Sequence, residues 1–335
     1  MPRSSGPRKT LVTCAGNVTG ISINADNHVL PMPKTFRPVM VFILAFALLS
    51  AAEAAAEAEK KVRLLTLGNS FAGNALQFLE PMAKATGHNL EVRRCNPGGC
   101  SLAQHWERIQ LGDADPANPN GQYDGKTLSA ILADGPWDVI TIQQYSLISH
   151  DLASYRPYAA DLVTYLKQRV PQAEIVMHQT WAYRCDDARF VPTSDVKTQQ
   201  DMYDGVTKSY DTMATDLGLR LMPSGDAFWA ADHDPLWGYK PDTAFVIANA
   251  VEPALPNQTH SLHVGYRWNK HALAMDGHHA GQAGCYLAGL VWYESIFHQS
   301  CVDMPFTPSG MDPKYAAFLR QTAHAAVAAR QVKSP

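Results

Sequence analysis

From Lys61 onward, short β-rich runs alternate with longer helical stretches, and this alternation limits the fold more than any other feature of the chain. The runs are VRLLTLG (62–68), LEVRRC (90–95), WDVITIQQ (137–144), AEIVMHQTW (173–181) and LRLMPSG (219–225). Between them lie segments with helical periodicity: NALQFLEPMAKATG, SLAQHWERIQL, GKTLSAILADG, YRPYAADLVTYLKQRV and the stretch from Thr198 to Leu217. A mostly apolar segment, GQAGCYLAGLVWYESIF, follows and must be covered on most sides. Strands that alternate with helices pair in parallel, and the crossover helices cover both faces of the sheet. In such sheets ligands bind outside the carboxyl ends of the strands. The polar clusters GNSF, NPGGCS, QQYS and HQTW each follow or end a run, which places them along one rim.

No internal repeat or low-complexity linker divides residues 61–331, so they read as one domain. The segment from about Ala230 to Ala274 is rich in Pro, His, Asn and aromatic residues without clear periodicity, as expected of a long loop or flap.

The first 60 residues read differently. Residues 39–52, VMVFILAFALLSAA, are uninterrupted apolar and small residues, and fourteen residues at about 1.5 Å each cannot cross a hydrocarbon core roughly 30 Å thick. With Lys34 and Arg37 before them and small residues after, residues 32–54 are expected to be a secretory signal cleaved near Ala54 or Ala58. Residues 1–31 then form an over-extended start or a disordered leader, and the mature chain is secreted or periplasmic with no stable membrane span. Cleavage removes five basic and two acidic residues, moving the net charge from -3 to -6, so nothing invites nucleic acid. It also leaves five cysteines, with no CxxC or zinc-type spacing; whether Cys95 and Cys100 pair is open.

Two clusters could carry chemistry. Gly68-Asn69-Ser70-Phe71 sets a serine hydroxyl at the rim, where a helix opens; this suits a nucleophile whose oxyanion product meets backbone amides, and equally an N-cap. Asp276-Gly277-His278-His279 precedes the last apolar helix on what reads as a tight turn. A carboxylate three residues before an imidazole can orient it, favouring His279 over His278 as the base. Gly98-Gly99 lets backbone approach a ligand, and Gln143-Gln144 could offer a side-chain amide.

In this order the motifs resemble the SGNH (GDSL-like) hydrolase superfamily. GNSF, GGCSLAQHW, WDVITIQQ, QTWAY and DGHH with YLAGLVWYE look more closely like a family of secreted bacterial SGNH-like proteins, the DUF4886-like group, over residues 62–297. The resemblance implies a flavodoxin-like three-layer α/β/α sandwich with a five-stranded parallel sheet. It also implies an esterase with no metal or cofactor, in which Ser70 is the nucleophile, His279 the base and Asp276 its orienter. The oxyanion donors it implies are the amides of Ser70 and Gly99. The superfamily's Gly-x-Asn-Asp block is absent, and Gln144 is expected to supply the third donor. Substrate contacts are expected from Asn69, Gln143, His105, His178 and Trp181. The function implied is hydrolysis of acetyl esters on a small molecule or polysaccharide. Two other readings are a glycan-binding protein on the same fold and a metal-dependent hydrolase built on His260, His263, His271, His278 and His279.

Overall fold

The computed structural model describes residues 61–331; the leader and export-signal expectations fall on residues 1–60, outside the described residues. In chain order the strands are β1 (Lys61–Leu67), β2 (Asn89–Cys95), the two-residue pair β3 (Gln122–Tyr123) and β4 (Lys126–Thr127), β5 (Val139–Ile142), β6 (Glu174–His178), β7 (Arg220–Met222), β8 (His263–Asn269) and β9 (Ala272–Ala280). The helices are α1 (Ser70–Ala75), α2 (Leu79–Ala85), α3 (Leu102–Ala114), α4 (Leu128–Ala133), α5 (Tyr158–Arg169), α6 (Gln199–Leu217), α7 (Ser224–Asp232), α8 (Gln282–Phe297) and α9 (Pro313–Gln331).

The five β-rich runs form one parallel sheet in the order β2-β1-β5-β6-β7. Helices α3, α4, α5 and α6 contact one another as one layer, while α1, α2, α7 and α9 gather around α8 as the other. This is the expected flavodoxin-like three-layer α/β/α sandwich. Burial follows position in the sheet. All four residues of β5 are buried, as a strand covered on both faces requires, whereas edge strand β2 keeps charged residues half-exposed. Helix α8 is buried on nearly every side, from Gly284 to Ile296, which is why its sequence shows no polar face. Among the described residues no helix is long and apolar enough to cross a membrane.

Three local departures have physical reasons. The segment expected to be one helix after β1 is two, broken between Ala75 and Leu79. Pro81 lacks the N–H a helix interior needs, and a restart at Leu79 places it in a first turn, where that donor is not required. The segment 125–135 begins with the turn of the β3–β4 hairpin, made by Asp124 and Gly125 at positive φ, before Thr127 caps α4. The expected loop at 230–274 ends in an antiparallel hairpin, β8–β9, that runs to Ala280. DGHH therefore lies on a strand rather than on a tight turn.

Candidate active site

The chain turns back across the sheet between β1 and β5, since β2 and β5 lie on opposite sides of β1. That switch point opens a crevice at the strand ends. Ser70 opens α1 directly after β1. Asn69 caps this helix by accepting from the Phe71 N–H at 3.1 Å. Gly68 is required beneath it, because a Cβ there would press on the Ala72 Cβ and the Gln143 amide, each at 2.9 Å.

The hairpin brings the distant end of the chain to Ser70. Along β8, His263 pairs with Ala280 and Gly265 with Asp276, so Gly277, His278 and His279 together oppose Val264 alone. A bulge of this kind kinks the strand and re-aims its side chains. The bulge is held by the Gly277 carbonyl accepting from the Arg184 N–H at 2.8 Å and by the Asp276 carboxylate accepting from the His279 N–H at 3.1 Å. The Ala280 N–H donates to the Asn74 side chain at 3.1 Å, pinning the strand to α1.

The outcome is a continuous contact chain: Ser70 Oγ lies 2.9 Å from His279 Nε2, and His279 Nδ1 lies 3.0 Å from Asp276 Oδ2. Partial burial works to raise the Asp276 pKa, but bonds from the His279 ring and main chain, with the neighbouring imidazoles, outweigh it. The carboxyl is held below its usual range and stays ionised. An ionised Asp276 accepts an Nδ1–H, which leaves Nε2 as the acceptor for the Ser70 hydroxyl.

His278 does not share this geometry. Its ring is 4.0 Å from that of His279, and its Nδ1 faces Arg189 Nη2 at 3.0 Å. Burial, followed by the adjacent His279, pushes its pKa down to about 4. Its Nδ1 also approaches Asp276 Oδ1 at 3.0 Å without hydrogen-bond alignment, so the Arg189 contact is the meaningful one. Arg189 is itself clamped by Asp187, with Nε and Nη2 each 2.7 Å from a carboxylate oxygen, and lies over the Tyr183 ring. This Asp187–Arg189 brace behind the histidines has no periodicity or motif that marks it in the sequence.

Most residues expected to contact substrate are instead buried. Asn69 is 1% exposed; its Nδ2 donates to the Cys100 carbonyl at 3.0 Å and its Oδ1 accepts from Gln143 Nε2 at 2.7 Å. Gln143 Oε1 in turn meets His178 Nδ1 at 2.8 Å, and His178 Nε2 meets Ser224 Oγ at 3.1 Å. His105 spans Tyr123 OH and the Gly68 carbonyl, at 2.8 and 2.9 Å, tying α3 to the Ser70 turn. Trp181 is stacked between Phe71 and Phe228 and donates to the His278 carbonyl at 2.9 Å. Gln143, His105, His178 and Trp181 support the site from beneath, whereas Asn69, though almost fully buried, still borders the cleft beside Ser70.

Gln144 is a further correction. Its amide donates to the Ser154 carbonyl and hydroxyl at 2.9 and 3.1 Å, while its Oε1 accepts from the Leu102 and Tyr145 N–H groups. It is fully buried and has no donor left for an oxyanion. Gly99, by contrast, adopts φ 63°, a conformation that favours glycine, beneath the Tyr145 ring. Its N–H donates to no protein acceptor among the described residues.

The histidine-rich tail does not converge. His260 packs between Trp237 and Tyr315, His263 is buried against the Ala182 carbonyl, and His271 pairs with Glu252 on the surface. Among the described residues the ligating atoms of Asp276, His278 and His279 do lie within 4.8 Å of one another, but they already engage Ser70, Arg189 and each other. Cys95 and Cys100 are both free, with burial pushing their thiols up to about 12 and about 11.

A cleft of about 460 Å³ opens beside Ser70 and Gly73 and runs over Asn96 to Arg108 and Tyr123.

Among solved structures, a DUF4886 family protein from Bacteroides uniformis ATCC 8492 is 25% identical, with 80% of this chain and 95% of that one covered at a TM-score of 0.64. A candidate SGNH hydrolase from Slackia heliotrinireducens is 23% identical, with 70% and 98% covered at a TM-score of 0.46. No curated protein matches. The model of a domain of unknown function, DUF4886, matches residues 63–234, about half of the chain, and the chain belongs to that family.

Proposed function

We propose that this protein is an exported serine esterase of SGNH type that removes acetyl groups from a carbohydrate. The observation that carries the reading is the hydrogen-bonded chain Ser70–His279–Asp276, assembled from the two ends of the domain.

In this mechanism Ser70 Oγ attacks the ester carbonyl carbon as His279 Nε2 takes its proton. The negative charge that develops on the carbonyl oxygen meets the amides of Ser70 and Gly99. The tetrahedral adduct collapses as the bond to the alcohol oxygen breaks, and His279 returns the proton to the departing alcohol. Water, deprotonated by the same imidazole, then attacks the acyl-Ser70 ester, releases the acid and restores the enzyme. Asp276 holds the imidazole in the required tautomer and stabilises its protonated form.

The occupied Gln144 amide favours a second reading, a glycan-binding protein with little turnover. A missing oxyanion donor costs a well-studied protease roughly 3–4 kcal/mol, a rate loss of 10²–10³. Replacing Ser70 with Ala separates the two. The esterase reading expects turnover of a short-chain aryl ester to vanish with the melting temperature unchanged; turnover that survives removes Ser70 from the mechanism.

A further inference from the structure

The cleft beside Ser70 ends in an unanswered positive charge. Arg93 donates to the Tyr123 carbonyl at 2.9 Å, Arg108 lies over the Tyr123 ring, and Arg94 and Asp124 line the same cleft. Arg94 is paired with Glu80 at 3.1 Å and Arg93 approaches Asp124 at 3.9 Å. Arg108 has no carboxylate within 4 Å among the described residues. Its Nη1 donates to the Gln122 carbonyl at 2.7 Å and its plane lies 5.4 Å from the Tyr123 ring centre, which fixes the guanidinium in place. Its Nε is buried with no hydrogen-bond partner.

A second polar group in the same cleft is equally unprovided for. Asn96 follows β2 and lines the cleft, yet neither its amide nitrogen nor its amide oxygen has a partner, although both are buried. Buried polar atoms left unpaired are costly and seldom tolerated without a purpose. Helix α3 sets the register. His105 reaches the carbonyl of Gly68, two residues before Ser70, and Arg108 lies one turn further along the same helix.

We propose that Arg108 and Asn96 form a subsite for a single carboxylate on the substrate, so that the sugar whose ester Ser70 attacks is a uronic acid. This deepens, and rests on, the esterase reading of the same cleft. One uncompensated cation beside one unpaired amide donor suits a monoanion, because a dianionic phosphate would leave a charge unanswered.

The test uses the full-length Ser70→Ala protein, which binds without turnover. Calorimetry compares a galacturonic acid trimer with a galactose trimer, before and after adding Arg108→Gln. The acidic trimer is expected to bind about tenfold tighter than the neutral one, the difference an ionised hydrogen-bond partner makes. That preference is expected to disappear with Arg108→Gln, to return in part with Arg108→Lys, and to weaken with Asn96→Leu, which covers the case in which the Arg108 variant fails to fold. Equal affinities for the two trimers, or a preference undiminished in folded Arg108→Gln, overturn the subsite. The esterase reading fails separately, if Ser70-dependent aryl-ester turnover is absent while the acidic preference persists.

Discussion

The surroundings of Asn69 say what the exchange Asn69→Asp would do. The side chain donates from Nδ2 to the Cys100 carbonyl and accepts at Oδ1 from Phe71 N–H and Gln143 Nε2. An aspartate keeps both acceptor bonds, and the helix cap with them. Its second oxygen, however, would sit 3.0 Å from a carbonyl oxygen, with no proton between them. Losing that donor in a buried site costs about 1–3 kcal/mol. The ionised form adds repulsion and desolvation, so about 2–3 kcal/mol at neutral pH is a fair total. For a domain of this size that lowers the melting temperature by roughly 5–10 °C. Protonation supplies the missing donor, so the folded carboxyl titrates above its unfolded value of about 3.9. A raised carboxyl pKa means that the folded state holds more protons than the unfolded state across this window. The deficit relative to wild type is therefore small below about pH 4 and grows as pH rises through the folded pKa. Urea unfolding of both proteins from pH 4 to 8 measures it. A deficit that stays constant with pH, or one under about 0.5 kcal/mol, would show that the Asn69–Cys100 bond does not govern this position.

Asp276→Asn should leave the fold intact and lower kcat by several orders of magnitude, on the order of the 10⁴-fold seen for the same exchange in a serine protease, because an amide facing Nδ1 favours the wrong tautomer; single-turnover kinetics on an aryl ester would register it. Burial pushes His105, His263 and His278 down to about 4, with the adjacent His279 adding to the effect at His278, and His178 down to about 3, so all four stay neutral in the fold while the unfolded chain takes up protons below about pH 6.5. Stability is thus complete above that pH and is lost as pH falls toward the folded values, at up to ~5 kcal/mol per pH unit for four groups; His105→Gln should reduce the slope in an acid-denaturation series by about a quarter. Arg189→Met strands the buried Asp187 carboxylate and frees His278, which should cost about 3 kcal/mol in chemical denaturation and lower kcat more than it raises KM.

What the sequence made legible here depended on whether a residue acts through local pattern or through distant partners. The sheet was legible because VITI and VRLLTL are apolar runs bounded by Gly, Asp or polar clusters, and parallel pairing follows from the helices between them. Ser70, Asp276 and His279 were legible as residue types at set spacings. Their meeting across 209 positions was expected only through the family resemblance, because it depends on a two-residue bulge in β9 that no periodicity announces. The supporting residues were misread for one common reason. Gln143 and His178 are polar and sit at strand ends, and His105 lies in the first turn of α3, where a ligand-facing role and a buried hydrogen-bond network look the same in one dimension. Only their burial separates the two, and it comes from distant parts of the chain: His178 packs against Trp181 and Trp292, and His105 against Tyr123. The polarity of the rim thus has two layers. An inner network is satisfied within the protein and holds the Ser70 turn in place. Along the cleft beside Ser70, Asn96 and Arg108 hold side-chain atoms with no partner among the described residues, and that unspent capacity is what the proposed subsite would use.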